Sequence, residues 1–202
     1  MNGKVIAFVA PSRSGKTFLT KKLSRHFSCP ALYESDVPIP EKIRYVPGTP
    51  VNYLERHLYF RGRAVDMQQN SRAFTAQSAY TFLDAAWVNC GPYIDIYPID
   101  EFERTLLKQL FGLDMRTLPW PDALIILSED DATSENLLKQ SGPEAFDTDY
   151  FQNHLLAVKR SFEKFIDTTT FPVPTVHIDR SGIDFNDEQA FARLLEQIKP
   201  VL

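Results

Sequence analysis

The run Lys4-Val5-Ile6-Ala7-Phe8-Val9-Ala10-Pro11-Ser12-Arg13-Ser14-Gly15-Lys16-Thr17 restricts the possible folds more than any other part of the chain. It reads as a buried strand, an anion-cradling loop and the first residues of a helix. Ala10 to Thr17 fit the spacing Gly/Ala-x4-Gly-Lys-Ser/Thr, with Ala10 where the pattern usually has its first Gly. Backbone N–H groups of such a loop converge on phosphate, and the helix dipole adds to the attraction. Pro11 biases Ala10 toward extended geometry, so Ala10 needs no positive φ. Gly15 is the residue that lets the backbone approach a phosphate closely. Pro11, Ser12, Arg13, Ser14, Gly15, Lys16, Thr17 and Phe18 are therefore the expected contacts of ATP or GTP. Lys16 would reach the β- and γ-phosphates, and the Thr17 hydroxyl would ligate Mg2+.

With 202 residues, 44% of them hydrophobic, the chain suits a single domain, 1–202, with a sizeable core. A net charge of −4 gives no global reason to expect nucleic-acid or membrane binding. Cys29 and Cys90 lack metal or redox spacing and read as small buried residues. No run has the length of a membrane span, and no secretory leader is recognisable, so a cytoplasmic protein is expected.

Short apolar runs alternate with helical patterns, which predicts a three-layer α/β fold: a five-stranded parallel sheet flanked by helices. The expected strands are Lys4–Ala10, Pro30–Glu34, Pro92–Tyr97, Ala123–Ser128 and Val173–Asp179. The expected helices lie near Lys16–Phe27, Arg104–Phe111, Tyr150–Ile166 and Asp187–Ile198. Val51–Asn89 reads as mostly helical, in two pieces, with Tyr80, Leu83, Ala86 and Trp87 as a core face. Charge is uneven. Residues 42–72 hold six Lys/Arg against two acids, whereas 129–149 hold seven acids and one base, Lys139. The basic stretch could face a phosphorylated substrate or be a solvated helix face.

Phosphoryl transfer needs an acid near the metal, a group that orients the acceptor, and positive charge for the transition state. In an open parallel sheet these sit at the carboxyl ends of strands. Glu34 ends the second expected strand, with Asp36 two residues on, although either could simply cap the turn at Pro38. Asp95 lies late in the third, where an acid among apolar residues calls for a partner or an ion. Asp100 and Glu103 have capping-box spacing and read as a helix start.

This layout resembles the P-loop nucleoside and nucleotide kinases, including the deoxynucleoside and thymidylate kinases. The resemblance implies a P-loop NTPase fold and a Mg2+-dependent ATP phosphotransferase. It makes Glu34 the base toward a sugar hydroxyl, because those kinases carry a Glu closing the second strand, and Gln77 the reader of the acceptor base. It also makes Val51–Asn89 the acceptor-binding region and Glu129–Asp149 the lid. An Asp/Glu-Arg-Ser sequence ends the third strand in that family, whereas Asp95-Ile96-Tyr97 keeps only the acid. The lid stretch has no Arg, and Arg13 could supply the missing charge from within the loop, as an Arg does in eukaryote-type thymidylate kinases.

The catalytic set expected on these grounds is Lys16, Arg13, Glu34 and Asp95, with Thr17 and Asp95 holding the metal. Arg44, Arg63 and Arg72 are candidates for an acceptor phosphate. The expected partner is a nucleoside or nucleotide acceptor, and a homodimer is left open. Two alternatives remain: a kinase acting on a polynucleotide end or a base within DNA, supported by the basic stretch 42–72, and a regulatory P-loop ATPase with no small-molecule acceptor.

Overall fold

The computed structural model describes residues 3–44, 50–140 and 154–202. Its core is a five-stranded, all-parallel sheet in the order β2-β3-β1-β4-β5. The strands are β1 (Lys4–Val9), β2 (Ala31–Leu32), β3 (Tyr80–Leu83), β4 (Ala123–Ser128) and β5 (Thr175–Asp179). The helices are α1 (Lys16–Phe27), α2 (Tyr53–Phe74), α3 (Glu101–Thr117), α4 (Asp131–Gln140), α5 (Leu156–Thr168) and α6 (Glu188–Ile198).

β1 shows why three layers form. Val5 to Val9 are all fully buried, and alternate residues point to opposite faces of the sheet. Ile6 and Phe8 join Leu19 and Leu23 of α1 with Leu194 and Ile198 of α6. Val5, Ala7 and Val9 join Ala64 and Met67 of α2 with Val158 and Phe162 of α5. Trp87 is buried on this second face and anchored by its indole N–H to Pro119 O at 3.1 Å. None of the described helices is long and apolar enough to cross a membrane.

The five-stranded parallel architecture is as expected, but its third strand is not where the sequence reading put it. Tyr80–Leu83 takes the place beside β1, with Lys4 opposite Tyr80 and Ala7 opposite Leu83. Val51–Asn89 is thus helix, then strand, then a 3-10 segment at Trp87–Tyr93. Pro92 lies inside that segment, and Ile94 to Ile96 form a turn. Arg104 fixes this turn by donating to Ile94 O at 2.5 Å and Tyr97 O at 2.9 Å. Asp100 caps α3 as expected, accepting from Glu103 N at 2.8 Å. Of the region assigned as a lid, residues 141–149 lie outside the described residues, as do the first residues of the helix expected from Tyr150.

Candidate active site

The loop between β1 and α1 has two left-handed residues, Arg13 (φ 67°) and Gly15 (φ 84°). Glycine takes such a φ freely, whereas at Arg13 it carries a cost of about 1 kcal/mol. Lys16 bends back over the loop, donating to Ala10 O at 3.0 Å and Pro11 O at 2.6 Å. Burial pulls the Lys16 ammonium below its usual range, and the nearby Glu34, Asp84 and Glu129 act against that.

Asp84 is the hub of the site. It immediately follows β3 and is 3% exposed. Its Oδ2 accepts from the Thr17 hydroxyl at 2.8 Å, and its Oδ1 accepts from Glu34 N at 2.9 Å. One carboxylate therefore ties the phosphate loop to the turn after β2. Burial holds Asp84 above the usual carboxylate range. Glu34, partly buried beside it, is pushed up to about 7 by burial and further by Asp84, against the pull of Lys16, Arg63 and Arg56. That value lets Glu34 exchange a proton near neutrality.

Two cavities flank the loop. One is lined by Lys16 and Glu34, by the aromatic rings of Phe60, Tyr93 and Tyr97, and by Arg56. Arg56 lies 4.8 Å from the centroid of the Phe60 ring and donates to Ile43 O at 2.6 Å. His57 and Asn89 also line this cavity, and burial pushes His57 down to about 4, so its imidazole is neutral at pH 7. Ser12 joins the loop to the wall: its hydroxyl and that of Tyr93 are 2.6 Å apart. The other cavity is an open groove between Arg13, Thr17 and Phe18 on one side and Arg180, Asp184 and Asn186 on the other.

The structure brings together Lys16, Thr17 and Glu34, with Arg63 close enough to act electrostatically on Glu34, and it places Arg13 in the open groove. Asp95, expected beside the metal, is not brought to this cluster. It sits in the turn after the 3-10 segment, well exposed, and pairs with Lys108 at 2.8 Å. Asp84 holds the strand-end position that Asp95 was expected to fill. Gln77 is also misplaced. It lies exposed in the turn before β3, at the amino end of the sheet, opposite the phosphate loop. Arg72 is at that same far end, bonded to Asp122 at 2.6 Å and to Trp120 O at 3.2 Å. Arg44 is exposed, with its guanidinium 3.4 Å from Ile39 O, and it does not line the pocket.

Half of the six cations in the basic stretch are in ion pairs, Arg72 with Asp122 among them. Arg61 forms a two-point bond to the buried Asp114, both contacts 2.6 Å, and Lys42 pairs with Glu55. Sequence reasoning missed Asp84, Arg56, Asn89 and Arg180. An acid directly after the apolar run Tyr80–Leu83 was the available signal for Asp84.

No protein-family model matches the chain, and no curated protein does. Solved structures do. A deoxyadenosine kinase from M. mycoides with products dCMP and dCDP superposes with a TM-score of 0.73 at 12% identity, covering 98% of this chain and 100% of that one. Thymidylate kinase from Candida albicans gives 0.68 at 21% identity, covering 98% and 92%. Two further structures of the M. mycoides enzyme, with dATP and with dCTP, give 0.66 and 0.62 at 12% and 13% identity, each covering over 95% of both chains. Over nearly its whole length, the chain has the fold of the P-loop deoxynucleoside and thymidylate kinases.

Proposed function

We propose that the protein is a Mg2+-dependent kinase that transfers the γ-phosphoryl group of ATP to a hydroxyl of a nucleoside. The observation that carries this reading is the placement of Glu34, which lines one pocket with Lys16 and whose backbone N–H donates to the same Asp84 carboxylate that accepts from Thr17; burial pushes its carboxyl up to about 7. A hydroxyl must shed its proton to become a nucleophile, and a carboxylate poised near neutrality takes it. A phosphate acceptor is already anionic and needs no such base.

The chain's residues divide the work. Lys16 and the loop N–H groups bind and orient the β- and γ-phosphates. Thr17 and Asp84 offer Mg2+ an oxygen pair of the kind it takes alongside phosphates and water. The ion, when bound, neutralises charge developing on the phosphates. Phe60, Tyr93 and Tyr97 offer stacking surfaces for a base. Arg63 and Arg56 hold positive charge beside Glu34.

Those two arginines also support a second reading, with a nucleoside monophosphate as acceptor. The DNA-end reading loses part of its support, because Lys42, Arg61 and Arg72, half of the 42–72 cations, are ion-paired within the fold. Magnesium-dependent ATP and GTP consumption should be measured with each deoxynucleoside, each monophosphate and duplex DNA, using Lys16→Ala as control. Stimulation by nucleosides alone supports the proposal, stimulation by monophosphates alone selects the second reading, and no stimulated turnover points to a regulatory ATPase.

A further inference from the structure

Arg180 has no part in the reaction as described above, yet it is one of the most enclosed charged side chains in the molecule, 5% exposed. It is the first residue after β5, and several bonds fix its backbone. Arg180 N donates to Ser128 O at 2.9 Å, and Asp130 N donates to the Ser181 hydroxyl at 2.8 Å. Gly182 N donates to the Thr133 hydroxyl at 2.8 Å. The turn after β5 and the start of α4 thus form one frame.

From that frame the guanidinium reaches under the phosphate loop. Its Nη1 donates to Ser14 O at 2.5 Å, and a Cβ on Gly15 would overlap the same nitrogen. Phe185 backs it, with its ring centroid 5.7 Å from Cζ. Glu129 and Asp184 are the carboxylates near it. Arg180 also lines the open groove together with Arg13, Lys16 and Thr17.

The hydrogen bonding is incomplete. A guanidinium has five N–H donors. Among the described residues Arg180 has one acceptor, Ser14 O, and its Nε is buried with no partner. A buried cation left so short of partners is costly unless something else supplies them. A planar fork of donors at a groove that Gly15, Lys16 and Thr17 also line is suited to phosphate oxygens.

Resting on the reading of the loop as a nucleotide-phosphate site, we propose that Arg180 is a ligand of the donor's phosphate chain. It supplies from β5 a positive charge that the acidic segment after β4 does not. The ligand class is a nucleoside di- or triphosphate, recognised through its phosphates and not its base.

The test measures dissociation constants for ATP and for inorganic tripolyphosphate by calorimetry. The proteins are wild type, Arg180→Met, Arg180→Lys and Lys16→Ala, with Tm and the acceptor KM recorded for each. Arg180→Met should weaken both ligands by a similar factor, on the order of 10- to 100-fold, as expected for lost bonds to a charged group. Arg180→Lys should fall between, and the acceptor KM should not move. Loss of ATP affinity with unchanged tripolyphosphate affinity would put Arg180 at the base and overturn the proposal. So would a lower Tm with both substrates weakened together, which is the mark of a structural prop. If Arg180→Met does not fold, Arg180→Lys decides: affinity for tripolyphosphate equal to wild type refutes the role. Should Lys16→Ala bind both ligands like wild type, the phosphate-loop reading itself fails, separately from Arg180.

Discussion

Replacing Glu34 by Gln tests the proposed base through two quantities that move in opposite directions. Burial raises the Glu34 carboxyl from 4.5 to about 7. At 1.36 kcal/mol per pH unit, ionising it costs the folded protein roughly 3 kcal/mol relative to the unfolded chain. The folded state holds this proton more tightly than the unfolded state. The stabilisation is therefore complete below about pH 4.5 and is lost as pH rises through 7. Gln keeps the shape of the protonated acid and cannot ionise. Urea denaturation should find Glu34→Gln close to wild type at pH 4 and more stable by up to about 3 kcal/mol at pH 8. Turnover should fall roughly 10²- to 10⁴-fold, the usual contribution of a general base. The wild-type rate should climb through pH 7, whereas the variant's profile stays flat. A variant that keeps its turnover would refute the assigned role, and one less stable than wild type at pH 8 would refute the assigned environment.

Asp84→Asn removes the charge from the Thr17–Glu34 link, so the Mg2+ concentration for half-maximal activity should rise at least about tenfold, read from a metal titration. Arg61→Met strands the buried Asp114 carboxylate and should cost about 3 kcal/mol in urea denaturation without altering the KM for ATP. Arg72→Ala and Gln77→Ala, both at the far end of the sheet, should leave acceptor KM unchanged; Arg72→Ala should cost about 1 kcal/mol or less, its pair with Asp122 being partly exposed. A rise in acceptor KM in either variant would restore these residues to the site.

What could be read in the sequence follows from where local chemistry alone decides the structure. The loop from Ala10 to Thr17 was legible because a phosphate cradle demands Gly15, Lys16 and Thr17 at fixed spacing. β4 was legible as an apolar run and β5 as an alternating one, each bounded by turn residues. β3 was not, for a physical reason. It is buried on both faces, so it lacks the alternation that marks a half-exposed strand. Tyr80, Leu83, Ala86 and Trp87 happen to recur at helical spacing, and Ala85 and Ala86 reinforce a helical reading. Conversely, Tyr93-Ile94-Asp95-Ile96-Tyr97 alternates like a strand. It turns because Pro92 sits in a 3-10 segment and Arg104 collects the carbonyls of the turn. Misplacing this one strand put the expected strand-end acid at Asp95 instead of Asp84. Gln77 and Arg72 failed differently, because periodicity says nothing about which end of a helix meets the carboxyl edge of the sheet. Arg180 was hidden since its contact with Ser14 spans 166 positions of sequence.

The central position of β1 has a consequence for how the protein comes to be folded. This strand, with five of its six residues fully buried, lies between partners that pair from Tyr80 and from Ala123 onward, so neither neighbour is local in the chain. Contacts this distant close slowly, because loop entropy must be spent before any pairing repays it. During synthesis, at about 5–20 residues per second, β1 waits several seconds with both edges open. The strand that leads into the candidate phosphate loop is thus, in the nascent chain, an edge open to self-association. Slow refolding, aggregation at high concentration and dependence on chaperone capacity during expression are the behaviours this topology sets.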